Sequence, residues 1–391
     1  MFVVVAVAVA AALWWELRTP PLPNYGPAYR EYAYISNGKS NSVTVLDATP
    51  RSYPRFNVLK TIAVGVNPTG LAANRKKNEI YVVNTDSNNV SVIDAERNQV
   101  VATMGVHRAP YFIDVSADGK RGYVANSGSA NVSIIDLDSH KVLANIRVGA
   151  APGLARVSPD GKTLVVSNRA DGSVSLIDAS ALTVRATVPA CSQPEDIAIL
   201  SDSSKAFVAC TGSGQVAVLD LHNDKLLTLL DVGKTPIHLV LKPDGGEMIV
   251  SNFDSDNISI VETGTNEVGG SYLIGTKPVR GVVTADNSLL YETNFGSNSV
   301  AVYSIDTGRV IDSINVGTRP DGLALTSNED FLLVLDTASS DVAAIRVKKL
   351  VGTSKISAAR ALYTLVPVGR QPNDIVLKAF FISEPQARVA R

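Results

Sequence analysis

The chain has 391 residues, 19% charged and 45% hydrophobic, with 36 basic side chains against 37 acidic ones and a formal net charge of -1. That balance leaves neither the electrostatic footprint of a nucleic-acid binder nor a polybasic membrane patch, so nucleic acid is not an expected partner. The 28 glycines and 19 prolines suit a packed core cut by many turns rather than a disordered chain.

At the N-terminus, Phe2 to Trp15 is an uncharged apolar run. It is too short for a comfortable bilayer crossing and matches the apolar region of a secretory signal. Residues 1–18 therefore read as a signal peptide or short membrane anchor, and the protein as exported: periplasmic, cell-surface or membrane-anchored, touching a membrane only through this segment. No Lys or Arg precedes the run and no clear Ala-x-Ala site separates Trp14 and Trp15 from Pro20, so cleavage, anchoring and a buried first strand or helix all stay open. Residues 19–30, with "TPPLPNYGP", read as an extended spacer.

From Glu31 the chain is periodic. Prolines 68, 110, 152, 194, 236, 278 and 320 follow one another at steps of 42, and an eighth stands at Pro372 after an insertion in "KKLVGTSKISAAR". A second marker keeps the same step at the end of a β-rich run: Asn84 in "YVVN", Asn126 in "YVAN", Asn168 in "VVSN", Cys210 in "FVAC", Asn252 in "IVSN", Asn294 in "YETN" and Asp336 in "LVLD", with Asn37 in "YISN" opening the series. Within one repeat, residues 153–190 hold four short runs rich in Val, Ile, Leu and Thr, each bounded by turn residues; "SPDG" supplies a type I turn. Four antiparallel strands repeated at this period describe a β-propeller blade, and no sustained helical periodicity interrupts them. The fold class is all-β, eight blades over residues 31–380, with 381–391 as a tail. The chain starts on the "YISN" strand and finishes on "PNDIVLKAF", so the last strand is expected to complete the first blade and close the ring.

"YVVN", "YVAN", "NVSVID", "NVSIID", "SPDGK" and the VG-x-x-P phrase resemble the YVTN repeats of bacterial and archaeal surface or exported β-propellers. The resemblance covers nearly everything after residue 31, implies the propeller fold, and is almost silent on function, because sites are grafted onto folds. Seven blades are usual among such proteins, where eight are counted here. More distant likenesses of the same type are lactonase-like propellers and the eight-bladed haem d1 domain of nitrite reductases.

A residue present in nearly every repeat solves a problem that every blade has. The recurrent Asn is expected to pin the following loop, the recurrent Gly and Pro to make a tight loop before the innermost strand, and Asp94, Asp136, Asp178 and Asp220 to hold strand-end turns. Departures point elsewhere. Two positions after each recurrent proline stand Gly70, Phe112, Leu154, Asp196, His238, Arg280, Gly322 and Asp374, all expected at one mouth of the central channel. Two residues further, Asp114 and Arg156 fall on the same side by strand alternation. The candidate site is thus His238, Arg280, Asp196, Asp374, Arg156 and Asp114. His107 joins it because it replaces the recurrent Gly in one leading loop. Glu195 and Asp321, one residue out of register, are expected to face the other side. Two readings compete for this ring: pairing between adjacent blades, or a site for a small polar or anionic ligand, with Arg280 holding a carboxylate or phosphate and His238 acting as donor, base or metal ligand.

The two cysteines, Cys191 and Cys210, flank one hairpin, and a disulfide between them is open on geometry, provided the Cα atoms come within roughly 7 Å. No CxxC, CxxCH, GxSxG, HExxH, Walker or dinucleotide motif occurs, so no cofactor and no metal are expected and nothing marks the chain as an enzyme. The leading function is an exported binding or scaffold module working through the channel-mouth face, for an unknown protein or a small polar or anionic ligand. A lactonase-like hydrolase and a haem d1- or metal-binding propeller are the alternatives.

Overall fold

The computed structural model describes residues 25–50, 52–347 and 361–382; the apolar N-terminal run, the first half of the spacer, the insertion and most of the tail lie outside the described residues. Among the described residues thirty-two strands form eight four-stranded antiparallel sheets. The fourth blade shows the plan: Pro152–Val157, Thr163–Asn168, Ser173–Asp178 and Thr183–Pro189 run from the channel outwards. Neighbouring blades cover both faces of the second and third strands, so these are apolar or small at nearly every position rather than alternating. Thr163–Asn168 is buried throughout. The outermost strand, covered on one face, returns to alternation, as Lys141–Arg147 does in the third blade.

Eight apolar clusters occupy the eight junctions between blades. Leu154, Val165 and Val174 of the fourth blade meet Val208, Ala217 and Leu219 of the fifth, and Phe331, Leu333 and Leu335 of the eighth meet Ala33, Ile35 and Leu46 of the first. That last junction exists because Pro372–Phe381 is the innermost strand of the first blade, paired with Tyr29–Asn37 from Tyr29↔Phe381 to Asn37↔Pro372. The ring is closed by its C-terminal strand, as the phase of the repeats predicts.

The recurrent polar residues are structural straps. Asn84 donates through Nδ2 to Asn89 Oδ1 at 2.8 Å and Ser91 Oγ at 2.9 Å, tying the second strand to the third. Asn126, Asn168 and Asn252 repeat the pattern with Asn131 and Ser133, Ser173 and Ser175, and Asn257 and Ser259. The recurrent glycine lies flat on this strap: a Cβ at Gly65 would sit 2.7 Å from the Asn84 side chain and one at Gly233 2.6 Å from Asn252. Strand-end aspartates hold their turns, Asp94 Oδ1 accepting from the N–H groups of Glu96 and Arg97.

In the fifth blade both partners of this contact change together. Cys191 stands in the glycine slot and Cys210 in the asparagine slot, and they are joined as a disulfide with Cα atoms 5.8 Å apart. The covalent bond takes the place of the Gly–Asn contact.

Candidate functional site

The innermost strands begin with a β-bulge. In the sixth blade Pro236 opposes Asn252 and His238 opposes Ser251; in the seventh the register jumps from Pro278↔Asn294 to Gly281↔Glu292, leaving Val279 and Arg280 together opposite Thr293. Thr293 Oγ1 accepts the Arg280 N–H at 3.1 Å. A bulge breaks the alternation of side chains along a strand. This corrects the expectation for Glu195 and Asp321: Arg280 Nε donates to Asp321 Oδ1 at 3.3 Å, and Glu195 lies close enough to Arg280 for the guanidinium to favour its ionised form.

The carboxylates two or four places after the proline act as latches between blades. Asp196 accepts from its neighbour's Ile197 N–H at 2.9 Å and, across the junction, from Leu239 N–H at 2.9 Å. Asp374 likewise takes Ile375 N–H at 2.9 Å and Leu71 N–H at 2.8 Å, and Asp114 takes Val115 and Val157, both at 3.0 Å. His238 uses its ring for the same job, Nδ1 accepting from Gly281 N–H at 3.3 Å. The innermost strand has a sheet neighbour on one side only, and N–H groups on its open edge are satisfied by the preceding blade, so these groups pair between blades through backbone amides.

This bond assigns the His238 tautomer. Burial pushes its pKa down to about 4, Asp196 working against the shift and Arg280 and Arg156 with it, so the ring is neutral near pH 7. With Nδ1 occupied as acceptor the proton sits on Nε2, 3.9 Å from Asp196 Oδ2. That ring offers no lone pair to a metal, a haem iron or a substrate proton, and among the described residues no cluster of three His, Cys, Asp or Glu is placed to hold a metal. His238 is therefore not placed to ligate a haem iron.

Arg156 stacks on Phe112, its Cζ 4.4 Å from the ring centroid, while its buried Nε has no hydrogen-bond partner. His107 is not part of the group: its Nδ1 pairs with the Asn131 amide at 2.6 Å in the third blade, another glycine-slot residue bonded to the strap.

Arg280 differs from the latches. It is surrounded by protein on every side of the ring, yet its side chain keeps 45% of its exposure because it stands in the open lumen. Burial disfavours its charge, but Asp321, Asp374 and Asp196 outweigh that and hold its pKa above the usual arginine value. Across the lumen, Arg169 Nη1 reaches both Glu195 oxygens at 3.2 and 3.4 Å, Nη2 donates to Ser127 Oγ at 2.8 Å, and the guanidinium lies 4.4 Å over the Tyr111 ring. Burial raises the pKa values of Tyr111 and Glu195. Tyr111, Arg169, Glu195 and Asp321 were not among the sequence candidates. The signal for Arg169 was present: the slot after the strap asparagine is small or hydroxylated in most repeats, and Arg169 departs from it.

Residues 2–156, less than half of the chain, match a family model described as YNCE-like beta-propeller. The uncharacterized YncE proteins of Salmonella typhi and Salmonella typhimurium are each 37% identical over 90 residues, 22% of this chain and 23% of theirs, so the match spans about a quarter of those relatives. Among solved structures, dihydro-heme d1 dehydrogenase NirN in complex with DHE is similar at a TM-score of 0.72 and 13% identity, covering 88% of this chain and 74% of that one. Kuenenia stuttgartiensis hydrazine synthase is similar at 0.57 and 18%, covering 70% and 96%. A functionally unknown Desulfotomaculum acetoxidans protein follows at 0.59 and 14%, covering 88% and 98%. Identities this low speak to the fold alone. Together these findings show the β-propeller fold, and over residues 2–156 a similarity to YNCE-like propellers.

Proposed function

We propose that the protein is an exported, noncatalytic binding propeller that takes a small anionic ligand at the channel mouth. The observation that carries this is Arg280. Its Nε is held by Asp321, while among the described residues neither terminal nitrogen donates to a protein group, and the lumen admits solvent to it. A guanidinium so placed presents a planar pair of donors matched to a carboxylate or phosphate. The latching aspartates are already engaged by two N–H groups each, and His238 is neutral. Binding of an anion needs only the cation, and nothing in the arrangement around Arg280 calls for a chemical step. The Cys191–Cys210 disulfide supports export, since such bonds persist in oxidising compartments.

The test is a thermal-shift and calorimetric titration with citrate and inorganic phosphate at fixed ionic strength. Ligand at about a hundredfold over Kd should stabilise the wild type by about 2.7 kcal/mol, and Arg280→Gln should lose that ligand-induced stabilisation, each protein being compared with its own ligand-free melt. Equal responses from the two proteins, or no response from either, would overturn the reading.

A further inference from the structure

We propose that the mouth selects an anion carried on a flat aromatic body, seated against the sixth, seventh and eighth blades; this rests on the anion-binding reading above. The slot after each strap asparagine rings the lumen, and it is occupied by Gly38, Thr85, Ser127, Arg169, Thr211, Phe253, Phe295 and Thr337. The scaffold works with hydrogen or a hydroxyl there, as Thr85 Oγ1 shows by donating to Pro110 O at 2.7 Å. Two adjacent blades instead carry phenylalanine.

These rings are not core. Phe253 and Phe295 are partly exposed and belong to neither apolar cluster beside them. Their centroids are 6.1 Å apart at 55°, a tilted contact that joins the two rings into one aromatic surface. Each is capped by a cation from the next blade: Lys277 Nζ lies 4.7 Å from the Phe253 centroid and Arg319 Cζ 5.4 Å from that of Phe295. Both cations sit at the residue before a recurrent proline, held at φ 54° and 56° by the same backbone turn. Arg319 is exposed and, among the described residues, makes no ion pair; Lys277 is 3.9 Å from Asp254.

Phe295 and Arg280 share one end of the seventh blade, for Thr293, which holds the Arg280 N–H, lies two residues before Phe295, and Phe253 joins them from the sixth. The opposite wall, Tyr111, Arg169 and Glu195, is closed upon itself by hydrogen bonds and stacking. One side of the lumen thus offers two partly exposed aromatic rings with one cation beside each, and the other side is satisfied. An aliphatic anion would use the cations alone; an aromatic one would also stack, and would exclude water from the Phe faces.

Calorimetry with naphthalene-2,6-dicarboxylate and adipate at equal ionic strength separates the two. The wild type should bind the aromatic dianion about tenfold tighter than adipate, the ratio expected when one aromatic stacking contact is added. Phe253→Leu with Phe295→Leu should bring that ratio close to one and leave adipate binding unchanged, and the surface variant Arg319→Gln should weaken the naphthalene probe without altering the melting temperature. Adipate binding that persists with no aromatic preference in the wild type, or a preference that survives the double leucine variant, overturns this inference and leaves the anion site standing. Failure of both probes to bind overturns this inference and the anion reading together.

Discussion

Glu292 fills a slot that is Val82, Val124, Val166, Val208, Val250 and Val334 in sister blades, and it is fully buried. Its neighbour across the strands, Gly281, replaces the aliphatic residue found there in most other blades, such as Leu71, Ile113 and Leu239; a Cβ at Gly281 would lie 2.4 Å from Glu292 Oε2. The carboxyl therefore occupies the volume that Gly281 gives up, between the seventh blade and Ser251 of the sixth. Burial raises its pKa to about 8, Ser251 opposing the shift. The folded protein holds this proton up to about pH 8, whereas the unfolded chain releases it near 4.5, so the folded state binds more protons in that window and stability must fall as pH rises through it. At about 1.4 kcal/mol per unit, the loss between pH 5 and pH 7 is roughly 2 to 3 kcal/mol, approaching about 4 kcal/mol above pH 8. Glu292→Gln keeps the shape and removes the titration. Urea unfolding followed by circular dichroism at pH 5, 6, 7 and 8 should find the variant gaining on the wild type by that amount. Asp336, which burial and the Asp341 carboxylate raise to about 8, destabilises both proteins alike and cancels in the comparison. A difference that stays constant within about 0.5 kcal/mol from pH 5 to pH 8 would refute the assignment of Glu292 as a buried neutral acid.

Two further outcomes follow from the scaffold. Reduction of the Cys191–Cys210 bond, 19 residues apart, should lower unfolding free energy by about 3 kcal/mol on the chain-entropy account, measured as the urea midpoint with and without dithiothreitol; an unchanged midpoint contradicts a stabilising role. Deleting residues 372–391 removes the innermost strand of the first blade and exposes the edge of Tyr29–Asn37, so soluble expression should collapse; a monodisperse truncated protein with native circular dichroism would show that closure is dispensable.

The 42-residue step, the count of eight blades and the joining of Pro372–Phe381 to Tyr29–Asn37 were all legible in the chain, because they depend on local patterns of apolar runs and turn residues repeated in phase. So were the straps, since Asn84 and its sisters recur with the blades they serve. The disulfide could be posed but not settled in that way, although the joint loss of Gly and Asn from one repeat marked the pair. Which side chains meet in the lumen was decided only by the tertiary structure. A bulge at the start of each innermost strand cancels the alternation from which Glu195 and Asp321 were assigned outward, and Arg280 finds Asp321 across a blade junction, 41 residues on. Glu292 and Gly281 compensate each other through a register that only the folded sheet defines. Periodicity is written along the backbone, but a ring of unlike residues acquires its chemistry from curvature and irregular pairing, to which a strand pattern is blind.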